Sequence, residues 1–196
     1  NINVIPNGID VDLFSFKPKQ NGVKLLSVRS LGDKTYDIEA TIEVLFLLPN
    51  QYTLDIYGKG KYIGDYNKLV VEKGLSKRVR IIDSFIDRNK MNELFHQYHI
   101  FISTTKIDTQ GITMLEAMGS GLLVASIDNS SKKEFISDMK TGVLGCNQKE
   151  LAEKIFEVTS NQELYECITK FGRKSVEEIN LVAVTKLELK ELRNII

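Results

Sequence analysis

The sequence has no tryptophan, two cysteines, two histidines and three prolines in 196 residues. Two cysteines cannot form a disulfide framework, and Cys146 and Cys167 are expected to be reduced thiols. Positive charge is not in excess, because 26 lysines and arginines balance 26 aspartates and glutamates. Zero net charge gives no basic surface of the kind that nucleic-acid binding needs. We therefore expect neither a disulfide-stabilised scaffold nor a nucleic-acid partner.

Long apolar runs are also missing. The longest, such as residues 44–48, are far too short to span a bilayer. His96 and His99 lie close together, but no nearby cysteine or ordered acid pattern completes a metal site, so no metal is expected. The 42% hydrophobic and 27% charged residues are ordinary for a globular chain. This length suits one large domain or two small ones.

The chain is organised around residues 103–125. An apolar strand, residues 100–102, leads into a polar loop, a helix begins at Gly111, and a second apolar strand follows over residues 122–125. This order is typical of a βαβ crossover. Gly111 has no Cβ, so a ligand can approach the backbone closely. The unpaired N–H groups at the helix start favour an anion there.

The same stretch resembles the E-x7-E motif of family 4 glycosyltransferases, E-x-F-G-x-x-x-x-E-A-x-x-x-G-x-P-V. Asp108 stands for the first acid, Gly111 for the glycine and Glu116 for the second acid. The chain departs from the pattern because Asp108 is one methylene shorter than glutamate. In addition, Gln110 replaces the usual aromatic residue and Leu123 replaces the proline.

Two basic residues follow the first predicted strand, residues 24–28. Arg29 comes directly after this strand, and Lys34 precedes a helical pattern of apolar residues. Ligands of open α/β sheets bind at this carboxyl edge of the strands. An isolated pair of this kind would be interpreted as solvated surface charge. The family has a similar arginine and lysine at this place, where they bind the donor diphosphate, and the resemblance implies that role here.

A glycine-rich turn follows the next strand, residues 52–57. It reads G-x-G-x-x-x-G from Gly58 to Gly64, a helix is predicted over residues 62–73, and Asp83 follows the next strand. This pattern also suggests a dinucleotide-binding turn, so an NAD(P)-binding Rossmann domain of an oxidoreductase is an alternative. The family has a similar glycine turn, which implies substrate binding at Gly58.

Further segments carry the resemblance over almost the whole chain. Residues 6–8, Pro-Asn-Gly, resemble the family's crossing into its C-terminal domain. Residues 84–86 resemble its V-x-F-x-G segment without the glycine, which implies a nucleobase contact at Ile86. Glu134, in a predicted short helix over residues 134–138, matches a family glutamate. The implied candidate site residues are catalytic Arg29, Lys34 and Asp108, and substrate-binding Gly58, Ile86, Gln110, Gly111, Ile112, Glu116 and Glu134.

The alternation of strands and helices with short loops predicts a doubly wound parallel sheet. Three helical segments, residues 151–158, 164–171 and 182–192, close the chain. The last is amphipathic, and a packed helix is favoured over one that faces a membrane. The resemblance implies that this helix packs on the partner domain. The expected fold is therefore α/β and Rossmann-like with C-terminal helices, and the resemblance implies the C-terminal half of a GT-B fold.

On this resemblance, residues 1–196 form the donor-binding domain of a retaining glycosyltransferase, a fragment inactive alone and without its N-terminal acceptor domain. The donor would be a nucleotide-diphosphate sugar, with no cofactor or metal. The reaction would transfer a hexose to a glycan or lipid-linked acceptor in polysaccharide biosynthesis. A cytoplasmic location, with peripheral membrane association of the full-length protein at the inner face, fits this expectation. The departure at Asp108 leaves a non-catalytic nucleotide-sugar binding module open.

Overall fold

The structure is a computed structural model, and it describes residues 4–107, 109–128 and 131–193. The strands in these ranges are β1 Lys24–Val28, β2 Thr53–Gly58, β3 Val79–Asp83, β4 Ile100–Ser103, β5 Leu123–Ile127 and β6 Val143–Gly145. The α-helices are α1 Ile38–Leu47, α2 Ile63–Glu72, α3 Arg88–Phe95, α4 Ile112–Gly119, α5 Gln148–Thr159, α6 Gln162–Glu178 and α7 Leu181–Arg193. Short 3-10 helices lie at Lys34–Tyr36 and Lys132–Glu134.

The strands form one six-stranded sheet in the order β3-β2-β1-β4-β5-β6, and every pair is parallel. Leu25 of the central strand β1 pairs with Leu54 of β2 on one side and with Ile100 of β4 on the other. The chain moves outward from β1 to β3 and then returns to the other side of β1. The topological switch point therefore lies between β1 and β4, where such sheets bind ligands. The predicted doubly wound α/β fold is confirmed.

Both faces of the sheet are covered by helices. Successive strand residues point to opposite faces. Leu25 thus joins the core formed with α1, α2 and α5, whereas Leu26 joins the core formed with α3 and α4. Strands buried on both sides read as continuous apolar runs, which is why β1, β4 and β5 are visible in the sequence.

Two features differ from the sequence-based expectation. The short helix predicted over residues 134–138 is wrong, because the 3-10 helix ends at Glu134. The carboxylate of Asp138 instead accepts a hydrogen bond from the Leu144 amide at 2.8 Å and pairs with Lys154 at 2.7 Å. Strand β6 is not predicted, since three residues are too few to show a pattern. It closes the sheet beside β5.

Candidate active site

A cleft of about 280 Å³ opens at the carboxyl edge of β1, β2 and β3, beside the first turn of α4. Its lining comes from segments far apart in sequence: Val28, Arg29, Ser30, Tyr36, Tyr57, Gly58, Ser84, Phe85, Ile86 and Thr113. Three residues predicted from the sequence, Arg29, Gly58 and Ile86, therefore lie around one cleft. This cleft adjoins the switch point of the sheet.

The side chain of Arg29 is hydrogen-bonded across the switch point, from the end of β1 to the end of β4. Its Nη2 donates a hydrogen bond to Oγ of Ser103 at 3.0 Å, so the side chain that follows β1 is bound to the end of β4. The guanidinium also lies over the ring of Phe101, 5.7 Å from its centroid. A part-buried guanidinium held in this way offers a fork of donors to an anion at a fixed place.

The glycines after β2 allow two loops to pack together. A Cβ on Gly58 would lie 1.8 Å from the carbonyl oxygen of Arg29. The same loops are joined by hydrogen bonds, because the Arg29 amide donates to Tyr57 O at 3.0 Å and the Leu31 amide to Lys59 O at 2.9 Å. In a dinucleotide-binding domain the glycine turn follows the central first strand. Here it follows β2 and supports the Arg29 loop, which argues against the oxidoreductase alternative.

Lys34 lies in the loop between β1 and α1, and its ammonium is engaged elsewhere. It forms an ion pair with Glu39 and lies over the rings of Tyr62 and Tyr66, 4.7 and 5.0 Å from their centroids. The hydrogen bond to Glu39 raises the pKa of Lys34. None of these partners lines the cleft. The structure thus places Arg29, but not the Lys34 ammonium, at the cleft, and diphosphate binding by Lys34 stays a prediction.

Helix α4 begins without a side-chain cap. Helices α3, α5 and α6 are preceded by the N-cap residues Asp87, Asn147 and Asn161, whose side chains each accept a hydrogen bond from an amide of the first turn. Gly111 precedes α4 with φ 70°, a left-handed conformation that glycine adopts without strain, and it has no side chain that could cap the helix. The positive end of α4 beside Thr113 suits an anion. Asp108 lies outside the described residues.

Glu116 lies one turn into α4 and is 6% exposed. Its Oε1 is 3.1 Å from Nη2 of Arg88, which lies at the start of α3. Burial raises the pKa of Glu116, the charge of Arg88 lowers it, and Asp10 raises it. Glutamates in helices are usually exposed, and Glu116 is not. Sequence reasoning did not identify Arg88, because only the folded chain brings α3 against α4.

Gln110 and Glu134 line a second, larger cleft of about 600 Å³, between the opening segment, α4 and α6. The Gln110 side chain is 6% exposed and is hydrogen-bonded to Asn7. Lys132, two residues before the exposed Glu134, is fully buried and was also not identified from the sequence. Arg29, Gly58 and Ile86 thus line one cleft, and Gln110 and Glu134 line the other. Neither lining includes the remaining described candidates, Lys34, Gly111, Ile112 and Glu116.

The fold is that of an α/β domain with a cleft at the carboxyl edge of its sheet, the edge at which such sheets bind ligands. The chain belongs to the family Glycosyl transferases group 1, which matches residues 10–175. A relative, the poly(ribitol-phosphate) alpha-N-acetylglucosaminyltransferase of Staphylococcus aureus (strain COL), is 30% identical over 151 residues. The match covers 74% of this chain and 29% of that protein.

Solved structures show the same fold. Anabaena HepE, in complex with UDP and glucose, matches with a TM-score of 0.87 and 18% identity, over 98% of this chain and 57% of that one. The C-terminal domain of a glycosyl transferase group 1 protein, LpcC from Francisella tularensis, matches with a TM-score of 0.75 and 20% identity, over 87% of this chain and 97% of that one. The six-stranded parallel sheet is thus that of GT-B glycosyltransferases.

The chain spans about a third of the length of the curated relatives it matches. In the described part of the chain, no helix is both long and apolar enough to cross a membrane. Within the same residues, no group of three or more histidines, cysteines or acids is arranged to hold a metal ion. The chain is a member of the glycosyl transferase group 1 family, and a cleft opens beside the switch point of its sheet.

Proposed function

We propose that the chain is the C-terminal, donor-binding domain of a retaining family 4 glycosyltransferase, and that it binds a nucleoside-diphosphate sugar at the switch-point cleft. The position of Arg29 carries this proposal, because its guanidinium is attached to the end of β4 and lines the cleft beside the first turn of α4. The match to an isolated C-terminal domain in Francisella supports the domain assignment. We also propose that an N-terminal acceptor domain completes the enzyme, and that this chain alone does not transfer sugar.

The chemistry follows from where negative charge develops. When the sugar leaves its nucleotide, the diphosphate gains charge and needs prearranged donors. Arg29 supplies a forked cation, and the N–H groups at the start of α4 supply fixed dipoles. Lys34 would leave Glu39 and bind the same phosphates. These groups stabilise the leaving diphosphate without a metal ion.

The donor and acceptor classes follow from the relatives. HepE was solved with UDP and glucose, and the Staphylococcus relative is named for transfer of N-acetylglucosamine. Another relative, from Streptococcus pneumoniae, is named as an alpha-monoglucosyldiacylglycerol synthase. We therefore propose transfer of a hexose to a glycan or lipid-linked acceptor in polysaccharide biosynthesis. The protein would be cytoplasmic, with the full-length enzyme at the inner face of the membrane.

A thermal-shift screen tests the nucleotide site. A ligand that binds only the folded chain stabilises it by about 2.7 kcal/mol at a concentration of 100 Kd. We expect UDP or GDP, and a matching nucleotide sugar, to raise the Tm, and NAD to leave it unchanged. A shift with NAD alone would favour the oxidoreductase alternative. No shift with any nucleotide diphosphate would contradict the proposal.

Two acidic residues are proposed to recognise different parts of the nucleotide sugar. We propose that Glu116 accepts hydrogen bonds from the ribose hydroxyls and Asp108 from those of the transferred sugar, since a carboxylate is a double acceptor for a diol. Glu116→Gln should then weaken the free diphosphate and the nucleotide sugar alike. Asp108→Asn should weaken only the nucleotide sugar, as measured by calorimetry. Equal weakening of both ligands by Asp108→Asn would move the sugar contact elsewhere, first to Glu134.

A non-catalytic nucleotide-sugar module is the second candidate, and the shorter acid at Asp108 favours it. The enzyme and the binding module are distinguished by comparing sugar transfer by the full-length protein with sugar transfer by its Asp108→Ala variant. Sugar transfer that is lost in the variant supports the enzyme. A full-length protein that binds the nucleotide sugar but transfers nothing supports the binding module.

A further inference from the structure

The side chain of Gln110 joins two segments that are distant in the sequence. Its Oε1 accepts hydrogen bonds from the amide of Asn7 at 2.7 Å and from Nδ2 of Asn7 at 2.8 Å. Its Nε2 donates to the carbonyl oxygen of Asn7 at 2.8 Å. With 6% of its surface exposed, this amide is buried and has partners for both its oxygen and its nitrogen. Both polar atoms of this amide are therefore hydrogen-bonded to Asn7, although the residue also lines the larger cleft.

The segment that Gln110 holds is itself fixed from the other side. The Ile9 amide donates to Ile179 O, and the Leu181 amide donates to Ile9 O, both at 3.0 Å. A Cβ on Gly8 would lie 2.7 Å from Cα of Leu181. Gly8 and Ile9 thus pack against the junction of α6 and α7, and the exposed Asn7 joins them to the loop before α4. They form a firm support for Gln110.

The loop that precedes α4 is fixed at both of its ends. At its beginning, Oγ1 of Thr104 donates to Asp37 O at 2.7 Å and the Lys106 amide donates to Thr35 O at 2.9 Å. At its end stands Gln110, directly before Gly111. The buried residues 114–119 hold the body of α4, but Gly111, at φ 70°, adds backbone freedom where the loop enters the helix, and a restraint on the loop limits this freedom. Gln110 is placed to supply it.

We propose that Gln110 is a positioning residue that fixes the start of α4 for the bound diphosphate, by fastening the loop before α4 to Asn7. It acts through Gly111 and the first N–H groups of α4, and not by touching the substrate. The inference rests on the proposed function for its diphosphate ligand. The restraint itself is a property of this chain's own loops, and it can be measured without a ligand.

Two variants remove different numbers of the hydrogen bonds between Gln110 and Asn7. Gln110→Met keeps the length of the side chain and removes all three hydrogen bonds, whereas Asn7→Ala removes only the one from Nδ2. The ligand is the nucleoside diphosphate that raises the Tm of the wild type. We expect Gln110→Met to reduce the affinity for this ligand about tenfold, which corresponds to ~1.4 kcal/mol. Asn7→Ala should weaken it less. Affinity for the matching nucleoside, which has no phosphate, should change little in either variant.

Gln162 provides a matched control. Its Oε1 accepts a hydrogen bond from the Asn21 amide at 2.6 Å, so it also fastens a chain segment to a helix start. It lies near the opposite edge of the sheet, since Tyr165 on the same helix bonds to His99 O, directly before β4. Gln162→Met should lower the Tm and leave diphosphate affinity unchanged. If both methionine variants reduce diphosphate affinity equally, Gln110 has only a structural role and the proposal is overturned.

Hydrogen exchange separates this inference from the proposed function. In the unliganded protein, Gln110→Met should speed amide exchange at Asn7 and in the first turn of α4, and Gln162→Met should not. If the wild type binds no nucleotide but this exchange difference is found, the proposed function fails and the restraint stands. Unchanged exchange at the start of α4 in Gln110→Met would overturn the restraint, whatever the protein binds.

Discussion

Removing the cation beside Glu116 should destabilise the protein in a way that depends on pH. In Arg88→Met the side chain keeps its apolar length, but the carboxylate of Glu116 stays buried without the guanidinium 3.1 Å away. Burial already raises the pKa of Glu116, and the loss of Arg88 should raise it further. A buried charge without its partner is costly, so the folded state should lose stability wherever Glu116 is ionised.

The size of the loss follows from the exposure of the two side chains. Breaking a fully buried pair costs about 3–5 kcal/mol, and exposed pairs contribute about 0.2–1 kcal/mol. The side chain of Glu116 is 7% exposed and that of Arg88 is 60% exposed, so water screens one side of this pair. We expect Arg88→Met to lower the free energy of unfolding by about 1.5 kcal/mol at pH 7.5, between these limits.

The sign of the pH dependence follows from proton linkage. A carboxyl whose pKa is raised by folding binds its proton more tightly in the folded state, so stability falls as pH rises from the unfolded pKa toward the folded one. This fall should be steeper in Arg88→Met than in the wild type. The two proteins should differ most above the folded pKa of Glu116, and less at pH 5 than at pH 7.5.

Urea unfolding in a double-mutant cycle measures the pair. In a Glu116→Gln background no buried charge remains, and Arg88→Met should cost only its contact with the Phe14 ring, about 0.5 kcal/mol. That smaller cost should not depend on pH. An equal cost in both backgrounds, or a cost that is the same at both pH values, would refute the reasoning that Arg88 offsets a buried charge.

Other variants test the cleft. Arg29→Ala and Lys34→Ala, made separately, should each weaken diphosphate binding by about 1.5–3 kcal/mol in calorimetry, since each removes charged hydrogen bonds. Nucleoside binding should weaken much less. Equal losses for the two ligands would rule out a diphosphate role. Ser103→Ala keeps the charge of Arg29 and removes the hydrogen bond that Arg29 donates to Ser103, so diphosphate affinity should fall less than in Arg29→Ala. Gly58→Ala should lower the free energy of unfolding by about 1–3 kcal/mol or more, because its Cβ would meet the Arg29 carbonyl oxygen at 1.8 Å. Gly64→Ala, whose Cβ meets nothing within 4 Å, is the matched control, and a loss as large as that of Gly58→Ala would contradict this explanation.

The fold is predictable where local pattern and burial agree. Leu25 and Leu26 are both apolar because β1 is covered on both faces, and the helical spacing that begins at Ile38 reflects one buried face of α1. The alternation of strands and helices then predicts a parallel sheet. Strand β6 carries too few residues for any pattern, and the hydrogen bonds of Asp138 are formed with residues beyond its own segment.

The site is predictable only where single residues carry the signal. The place of Arg29 after β1 predicts its position at the carboxyl edge, and the cleft confirms that position. The burial of Glu116 could not be predicted, because its partner Arg88 lies on another helix. The use of Gln110 depends on Asn7, which is 103 positions away. Such pairs are set by tertiary packing and leave no mark in local sequence.

The central position of β1 also bears on how the chain folds. β1 pairs with β2 after a single helical connection, but its other neighbour, β4, is formed only after two further βα units. Non-local pairing closes a long loop and is therefore expected to be the slow step. The first three strands can assemble early, whereas the bond between Arg29 and Ser103 cannot form until β4 has docked. The proposed nucleotide binding beside the switch point would therefore report the docking of β4, and a nascent chain that lacked β4 would not bind there.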